Sequence, residues 1–202
     1  YFGHHFITTS QIPELAFIKQ FHLGEKERPD VVQRVYNTFR PFNALVIIDR
    51  YFLNKDDLFP NFLNGVFANG KRLKQDVYID VICDQDQFDK ALGERRISML
   101  ENALNTIKSA HGLANIVLKV HHVRSAVFHD RYVIGNGFMI HLGHGMEAFK
   151  QPNDTESSVT FRSVLHHDDE ASAITTIVSK LQKLKKAIGN LSSDNPIWRI
   201  ID

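Results

Sequence analysis

Chemistry in this sequence concentrates in residues 128–149, FHDRYVIGNGFMIHLGHGMEAF. His129 and Arg131 precede a short aromatic and β-branched run, Tyr132-Val133-Ile134. Gly135-Asn136-Gly137 then reverses the chain, and a second apolar run, Phe138–Leu142, ends in Gly143-His144-Gly145. Asn-Gly between two apolar runs predicts a tight β-hairpin. The entry to its first strand and the exit from its second share one end. An imidazole, a guanidinium and the N–H groups of a glycine-rich turn therefore gather there, a set suited to a phosphate group. His129, with an ordinary imidazole pKa of about 6.5, is largely neutral near pH 7. Arg131 offers a planar fork that contacts two phosphate oxygens at once. His144 would add a second imidazole, or it is simply part of a tight turn with Gly143 and Gly145. Glu147 would supply a carboxylate to the site or cap the next segment.

The stretch resembles the phospholipase D superfamily, whose signature is His-x-Lys, a short spacer, Asp, and then Gly with a small polar residue. Here the series reads His129-x-Arg131, Asn136 and Gly143-His144, with arginine for the lysine and asparagine for the aspartate. The closer resemblance is to a divergent branch, the C-terminal domain of MIT-domain-containing protein 1 and its bacterial relatives. That branch reads His-Asp-Arg, a strand, Asn-Gly-aromatic, Gly-x-Gly, an acidic residue and an aromatic. The matching residues are His129-Asp130-Arg131, Asn136-Gly137-Phe138, Gly143-His144-Gly145, Glu147 and Phe149. The resemblance implies catalytic positions at His129, Arg131 and Asn136, and phosphate contacts from His129, Arg131, Gly143, His144 and Gly145. It also implies that position 136 orients the histidine, although Asn before Gly is equally what the turn demands.

In that superfamily two copies of the motif face each other, one histidine attacking while the other protonates the leaving group. This chain has one copy, because His122-x-Arg124 lies too close to His129 to be a second. An active form must then be a homodimer with apposed hairpins. Members of the divergent branch dimerise, bind phospholipid headgroups and are regarded as non-catalytic. Three functions follow as expectations. The first is a homodimeric binding module for acidic phospholipid or a related anion. The second is a metal-independent phosphodiesterase or nuclease acting through His129. The third is a structural interaction domain whose pocket is a relic. No cofactor is expected, and the ligand phosphate belongs to a lipid headgroup or a nucleic acid.

Around this motif, strands alternate with helices, which predicts an α/β fold: a mixed β-sheet flanked by helices. Residues 7–10 and 14–21 read as a strand and a helix, and Asp30 as the N-cap of a helix to about Phe39. Ala44–Ile48 is continuously apolar and reads as a buried strand. The triplet that follows it, Asp49-Arg50-Tyr51, falls where α/β sheets hold ligands, so Asp49 and Tyr51 are secondary site candidates. A helix follows from Asp56-Asp57, a strand over Val77–Cys83, a long amphipathic helix over Asp86–Ala110 and a strand over Ala114–Val120. After the hairpin come a strand at Val159–Leu165 and a helix from Asp168 or Asp169 to Ile188. Residues 1–29 read as an N-terminal extension, 30–190 as the domain and 191–202 as a tail. His121-His122 and His166-His167 lack the spacing of a zinc site.

With 202 residues, 43% of them hydrophobic and 23% charged, the chain has the composition of one globular domain. No apolar run approaches the ~18 residues that span a bilayer, and the start has no signal-peptide pattern. Beginning at Tyr1 without a methionine suits a piece of a longer protein with further domains. The single cysteine, Cys83, reads as a small buried hydrophobe in a reducing compartment. The expected location is cytoplasmic, peripheral at membranes. A net charge of +1 does not announce a nucleic-acid groove. Basic runs at Lys71-Arg72-Lys74 and Lys180–Lys186 are sparse enough to be solvated faces.

Overall fold

The computed structural model describes residues 18–23, 33, 35–37, 42–52, 58–69, 76–84, 90–113, 115–124, 130–143, 149, 157–163 and 173–201. Strands β1 (Ile18–Leu23), β2 (Ala44–Ile48), β3 (Val77–Asp84), β4 (Ile116–Val123), β5 (Arg131–Gly135), β6 (Phe138–Leu142) and β7 (Ser157–Ser163) form one sheet in the order β1-β7-β6-β5-β2-β3-β4. Helix α1 (Leu58–Asn69) joins β2 to β3, α2 (Lys90–His111) joins β3 to β4, and α3 (Ala173–Ile188) follows β7. A 3₁₀ helix, Pro196–Ile201, closes the described chain. The fold is α/β, a mixed sheet flanked by helices.

Strand β2 is the seam. It runs parallel to β3, which runs parallel to β4, as the two crossover helices require. On its other side it pairs antiparallel with β5, which continues antiparallel through β6 and β7 to β1. All five residues of β2 are buried, because both faces of the sheet are covered there. On one face, Leu45, Ile47, Ile79, Val81, Val133 and Ile140 pack beneath Phe62, Leu63, Val66 and Phe67 of α1 and Leu100, Leu104 and Ile107 of α2. On the other, Val46, Ile48, Ile82, Tyr132, Ile134 and Met139 pack beneath Ile177, Leu181 and Leu184 of α3 and Ile197 and Trp198 of the 3₁₀ helix. Each such side chain fully buried contributes about 1.5–3 kcal/mol relative to exposure.

The hairpin forms as its sequence predicts. Gly135 pairs with Phe138, leaving Asn136-Gly137 as a two-residue turn, and Gly137 has φ of +126°, a region open chiefly to glycine. The segment around residue 20 departs from expectation. Residues 18–23 are an edge strand paired with β7, not a helix through Phe21, since hydrogen bonding to an open sheet edge outweighs a weak helical pattern. The part read as an extension thus adds a strand to the sheet. Strand β4 also runs on to Val123, so His121 and His122 lie inside it and not at its end. Gln33, Val35 and Tyr36 are helical, while Asp30 and Phe39, which bound the helix expected there, lie outside the described residues, as do 166–169.

One carboxylate stands in mid-sheet. Asp80, 2% exposed, projects from β3 under the 3₁₀ helix. Its Oδ2 accepts hydrogen bonds from Trp198 Nε1 at 2.8 Å and pairs with His121 Nε2 at 2.9 Å, and its Oδ1 accepts from Asn195 Nδ2 at 3.3 Å. Asn195 also donates to the Leu45 carbonyl at 2.9 Å and accepts from Ile197 N at 3.1 Å. This network fastens the final segment, read earlier as a tail, to the centre of the sheet. Burial works to raise the Asp80 pKa, but hydrogen bonds from His121, Trp198 and Ser193, with the charge of His121, leave it below the ordinary carboxylate value. A lowered folded-state pKa gives stability that is present above the unfolded value near 4 and disappears as pH falls through the folded one. Asp80→Ala, which strands His121, Asn195 and Trp198, should therefore cost about 3 kcal/mol in urea unfolding at pH 7. That deficit should shrink as the pH is lowered below about 4; an equal deficit at pH 7 and pH 3 would contradict the assignment.

Candidate phosphate site at one rim of the sheet

The pairing directions bring seven strand ends to one rim. These are the carboxyl ends of β1, β2, β3, β4 and β6 and the amino ends of β5 and β7. The register sets Ile48 opposite Tyr132 and opposite Ile82, so the next residues, Asp49 and Arg50, meet Arg131 and Asp84 across the sheet. Backbone bonds continue the ladder past the strands, from Asp49 N to the Ile82 carbonyl at 3.1 Å and from Asp84 N to the Arg50 carbonyl at 3.3 Å.

Arg131 enters β5 at this rim. Its Nη1 donates to the Gly143 carbonyl at 3.1 Å, tying the start of the hairpin to its exit, and its Nε lies 4.0 Å from Asp49 Oδ1. Asp49 is buried, and its Oδ1 also accepts from Tyr51 N at 2.9 Å, which folds the chain back after β2. Tyr51, 40% exposed, turns its ring toward two cations, the guanidinium of Arg131 at 5.6 Å and that of Arg50 at 5.3 Å. Arg50 Nε is held by Asp84 Oδ2 at 2.8 Å, and the Asp84 side chain is fully buried. The rim thus carries two half-exposed guanidinium groups, each anchored to a buried carboxylate. Such pairs persist because an unpaired buried carboxylate costs several kcal/mol, roughly.

Gly143 continues its ladder by donating from N to the Ser158 carbonyl at 2.9 Å. A Cβ at position 143 would lie 3.0 Å from Ser158 Oγ and 3.2 Å from its carbonyl oxygen. The space that glycine leaves here is filled by β7. Asp130, pointing away from Arg131 as strand alternation requires, accepts from Tyr132 Oη at 3.0 Å and from Lys180 Nζ of α3 at 3.4 Å. Lys180 also sits 3.9 Å from the centre of the Tyr132 ring. Partial burial works to raise the Asp130 pKa, but these donors and the charge of Lys180 hold it below its ordinary value. Arg131 therefore pairs with Asp49 and leaves Asp130 to α3.

The structure brings together Arg131, Gly143, Asp49 and Tyr51. It does not bring Asn136 to them. Asn136 lies at the opposite rim, the length of β5 away, about 15 Å at strand spacing. Its Oδ1 accepts from Asn43 N and Ala44 N, both at 2.9 Å, and so stitches the hairpin turn to the start of β2. An acceptor oxygen here serves the turn, and aspartate would serve it equally. His129, His144, Gly145 and Glu147 lie outside the described residues. Phe149, the aromatic that ends the motif, is buried, its ring 4.8 Å from Phe62 and 5.5 Å from Tyr36. It anchors the chain beneath α1 and belongs to the core.

Arg50 entered the sequence reading only as the middle of the triplet after β2, and Asp84 received no role. Their signal was available in the parallel pairing of two strands that each end in Asp. No group of His, Cys, Asp or Glu able to hold a metal occurs among the described residues. His122 Nδ1 lies 3.4 Å from Cys83 Sγ, and burial, followed by the charges of Asp84 and Asp49, pushes the Cys83 thiol up to about 12. That thiol is a small buried hydrophobe rather than a nucleophile.

Residues 39–178 match the family described as the phospholipase D-like domain at the C-terminus of MIT, and the chain belongs to that family. None of the curated proteins matches the chain. Among solved structures, the chain is similar to TrmBL2, an archaeal chromatin protein, at 9% identity and a TM-score of 0.41, covering 88% of this chain and 58% of that one. It is also similar to the polyphosphate kinase of Porphyromonas gingivalis, at 7% identity and a TM-score of 0.45, covering 88% of this chain and 27% of that one.

The role assigned to Asn136 has a direct check. Asn136→Ala, which leaves two backbone N–H groups without their acceptor, should destabilise the protein by about 1–3 kcal/mol in urea unfolding. Asn136→Asp should keep most of that stability. Equal loss in both variants would contradict the capping role.

Proposed function

We propose that this chain is a phosphodiester-recognising module that works as a homodimer on acidic phospholipid, through the rim where β2 meets β5. The observation that carries the reading is the placement of Arg131. A strand start, a buried carboxylate and the carbonyl of Gly143 fix its guanidinium at the rim, with a second guanidinium on the same tyrosine. Arginine grips phosphate oxygens through paired N–H groups, and pre-setting its rotamer lowers the entropic cost of binding. No helix among the described residues is long and apolar enough to cross a membrane. Attachment would then be peripheral, from the cytoplasmic side, where anionic headgroups attract arginines at about 1 kcal/mol each.

A second reading stays in force because of position 136. A carboxylate missing from the far rim takes nothing from the chemistry at this one. A metal-independent phosphodiesterase or nuclease, with His129 of each protomer in turn as nucleophile and acid, therefore keeps its support from the motif spacing. The substitution of arginine for lysine at 131 weighs against it, since the two differ in reach and hydration.

The two readings separate on variants. Wild type and His129→Ala should both sediment with phosphatidylcholine vesicles containing phosphatidylserine, and Arg131→Glu should be released, by tenfold or more in affinity, roughly. Wild type should cleave none of single-stranded DNA, RNA, duplex DNA, phosphatidylcholine vesicles or bis-p-nitrophenyl phosphate without added metal. Cleavage of any of these by wild type and not by His129→Ala would replace the binding module with the enzyme.

A further inference from the structure

We infer that Arg50 is a second phosphate-binding arm of the rim site and that Asp84 is its positioning residue, so that a phosphodiester is gripped between two guanidinium groups. The inference rests on the phosphodiester reading of the rim and adds to it a residue outside the motif.

The two arginines are spent differently. Arg131 commits Nη1 to the Gly143 carbonyl and turns Nε toward Asp49, so much of its fork closes the hairpin onto β2. Arg50 commits Nε to Asp84, while its two amino groups meet no partner among the described residues. A guanidinium carries five N–H donors in a rigid fork, and one bond through Nε leaves the four outer donors for a ligand. Among the described residues Arg50 is thus the freer hand, and it is held still: Asp84, fully buried, fixes one edge of the guanidinium at 2.8 Å, and the Tyr51 ring supports it. Both guanidinium groups lie over one ring, 5.3 and 5.6 Å from its centre. The buried carboxylates offset the two charges from behind and leave a modest local field. That suits a singly charged diester better than a doubly charged monoester.

The test uses the full chain and vesicles of phosphatidylcholine with phosphatidylglycerol, whose headgroup is a phosphodiester monoanion. Phosphatidylcholine alone serves as the blank, and diethyl phosphate as a soluble competitor. Arg50→Gln should weaken binding about tenfold, comparable to Arg131→Gln. It also takes one cationic partner from a buried carboxylate, so Arg50→Gln/Asp84→Asn, which removes both sides of that pair, is the variant to trust if melting shows the single change unfolds the chain. Lys186→Gln, which removes one charge from an exposed position on α3, should change binding less than about twofold. Arg50→Lys should recover only part of the affinity, because the fork is lost. Asp84→Asn should weaken binding in the wild-type background and have no further effect beside Arg50→Gln, as expected if it acts through Arg50. Wild-type affinity in both Arg50→Gln/Asp84→Asn and Arg50→Lys, with Arg131→Gln still weakened, would overturn the second arm and leave the rim site standing. Unchanged binding in all of them, or no binding by wild type, would remove the rim reading itself.

Discussion

The register of β2 is the constraint on which the rest depends. Ala44–Ile48 carries no polar side chain, lies under helices on both faces, and pairs parallel on one side and antiparallel on the other. A slip of one residue would turn every side chain to the opposite face. With both faces packed against different sets of partners, only one register fills both cores. That register decides what stands at the rim. Asp49 falls opposite Arg131, and Arg50 opposite Asp84. An arginine from a parallel unit and an arginine from an antiparallel hairpin are thereby delivered to one tyrosine.

Among the described residues, buried carboxylates mark three places where this sheet departs from an apolar interior. Asp49 and Asp84 stand at the rim and pair with arginines that reach half into solvent. Asp80 stands in the middle of β3 and binds His121, Trp198 and Asn195, which hold the last segment of the described chain. The first pair aims charge outward and the third turns it inward. That contrast separates a site from a fastening. The Asp130–Tyr132–Lys180 cluster does for α3 what Asp80 does for the 3₁₀ helix, joining a flanking helix to the strand that also carries Arg131. Burial and the adjacent Asp130 hold the Tyr132 phenol above its ordinary value, so it stays a neutral donor to that carboxylate.

Much of this was legible in the sequence where local signals were strong. Asn-Gly fixed the hairpin, the unbroken apolar run marked β2, and helical spacing at Phe62, Leu63, Val66 and Phe67 marked α1. The motif led to Arg131 and Gly143, and the end of the apolar run led to Asp49 and Tyr51; these four share a rim. Asn136 was legible as a turn residue, but a linear motif does not say which end of a strand its members occupy. Five residues of β5 separate the two ends, and only the pairing reveals that position 136 turns toward Asn43 and Ala44. Arg50–Asp84 and Asp80–Trp198 are separated by 34 and 118 positions, and no periodicity encodes such pairs. The edge strand at residues 18–23 was missed because its partner, β7, lies far along the chain and its own composition is mixed.

The claim that the rim binds a phosphodiester is tested most directly by following the arginine Nε–H resonances of the protein during titration with diethyl phosphate. The account predicts that Arg131 and Arg50 shift together, saturably, and that Arg95, Arg96 and Arg199 on α2 and the 3₁₀ helix stay in place. Shifts confined to those outlying arginines, or spread evenly over all of them, would contradict it.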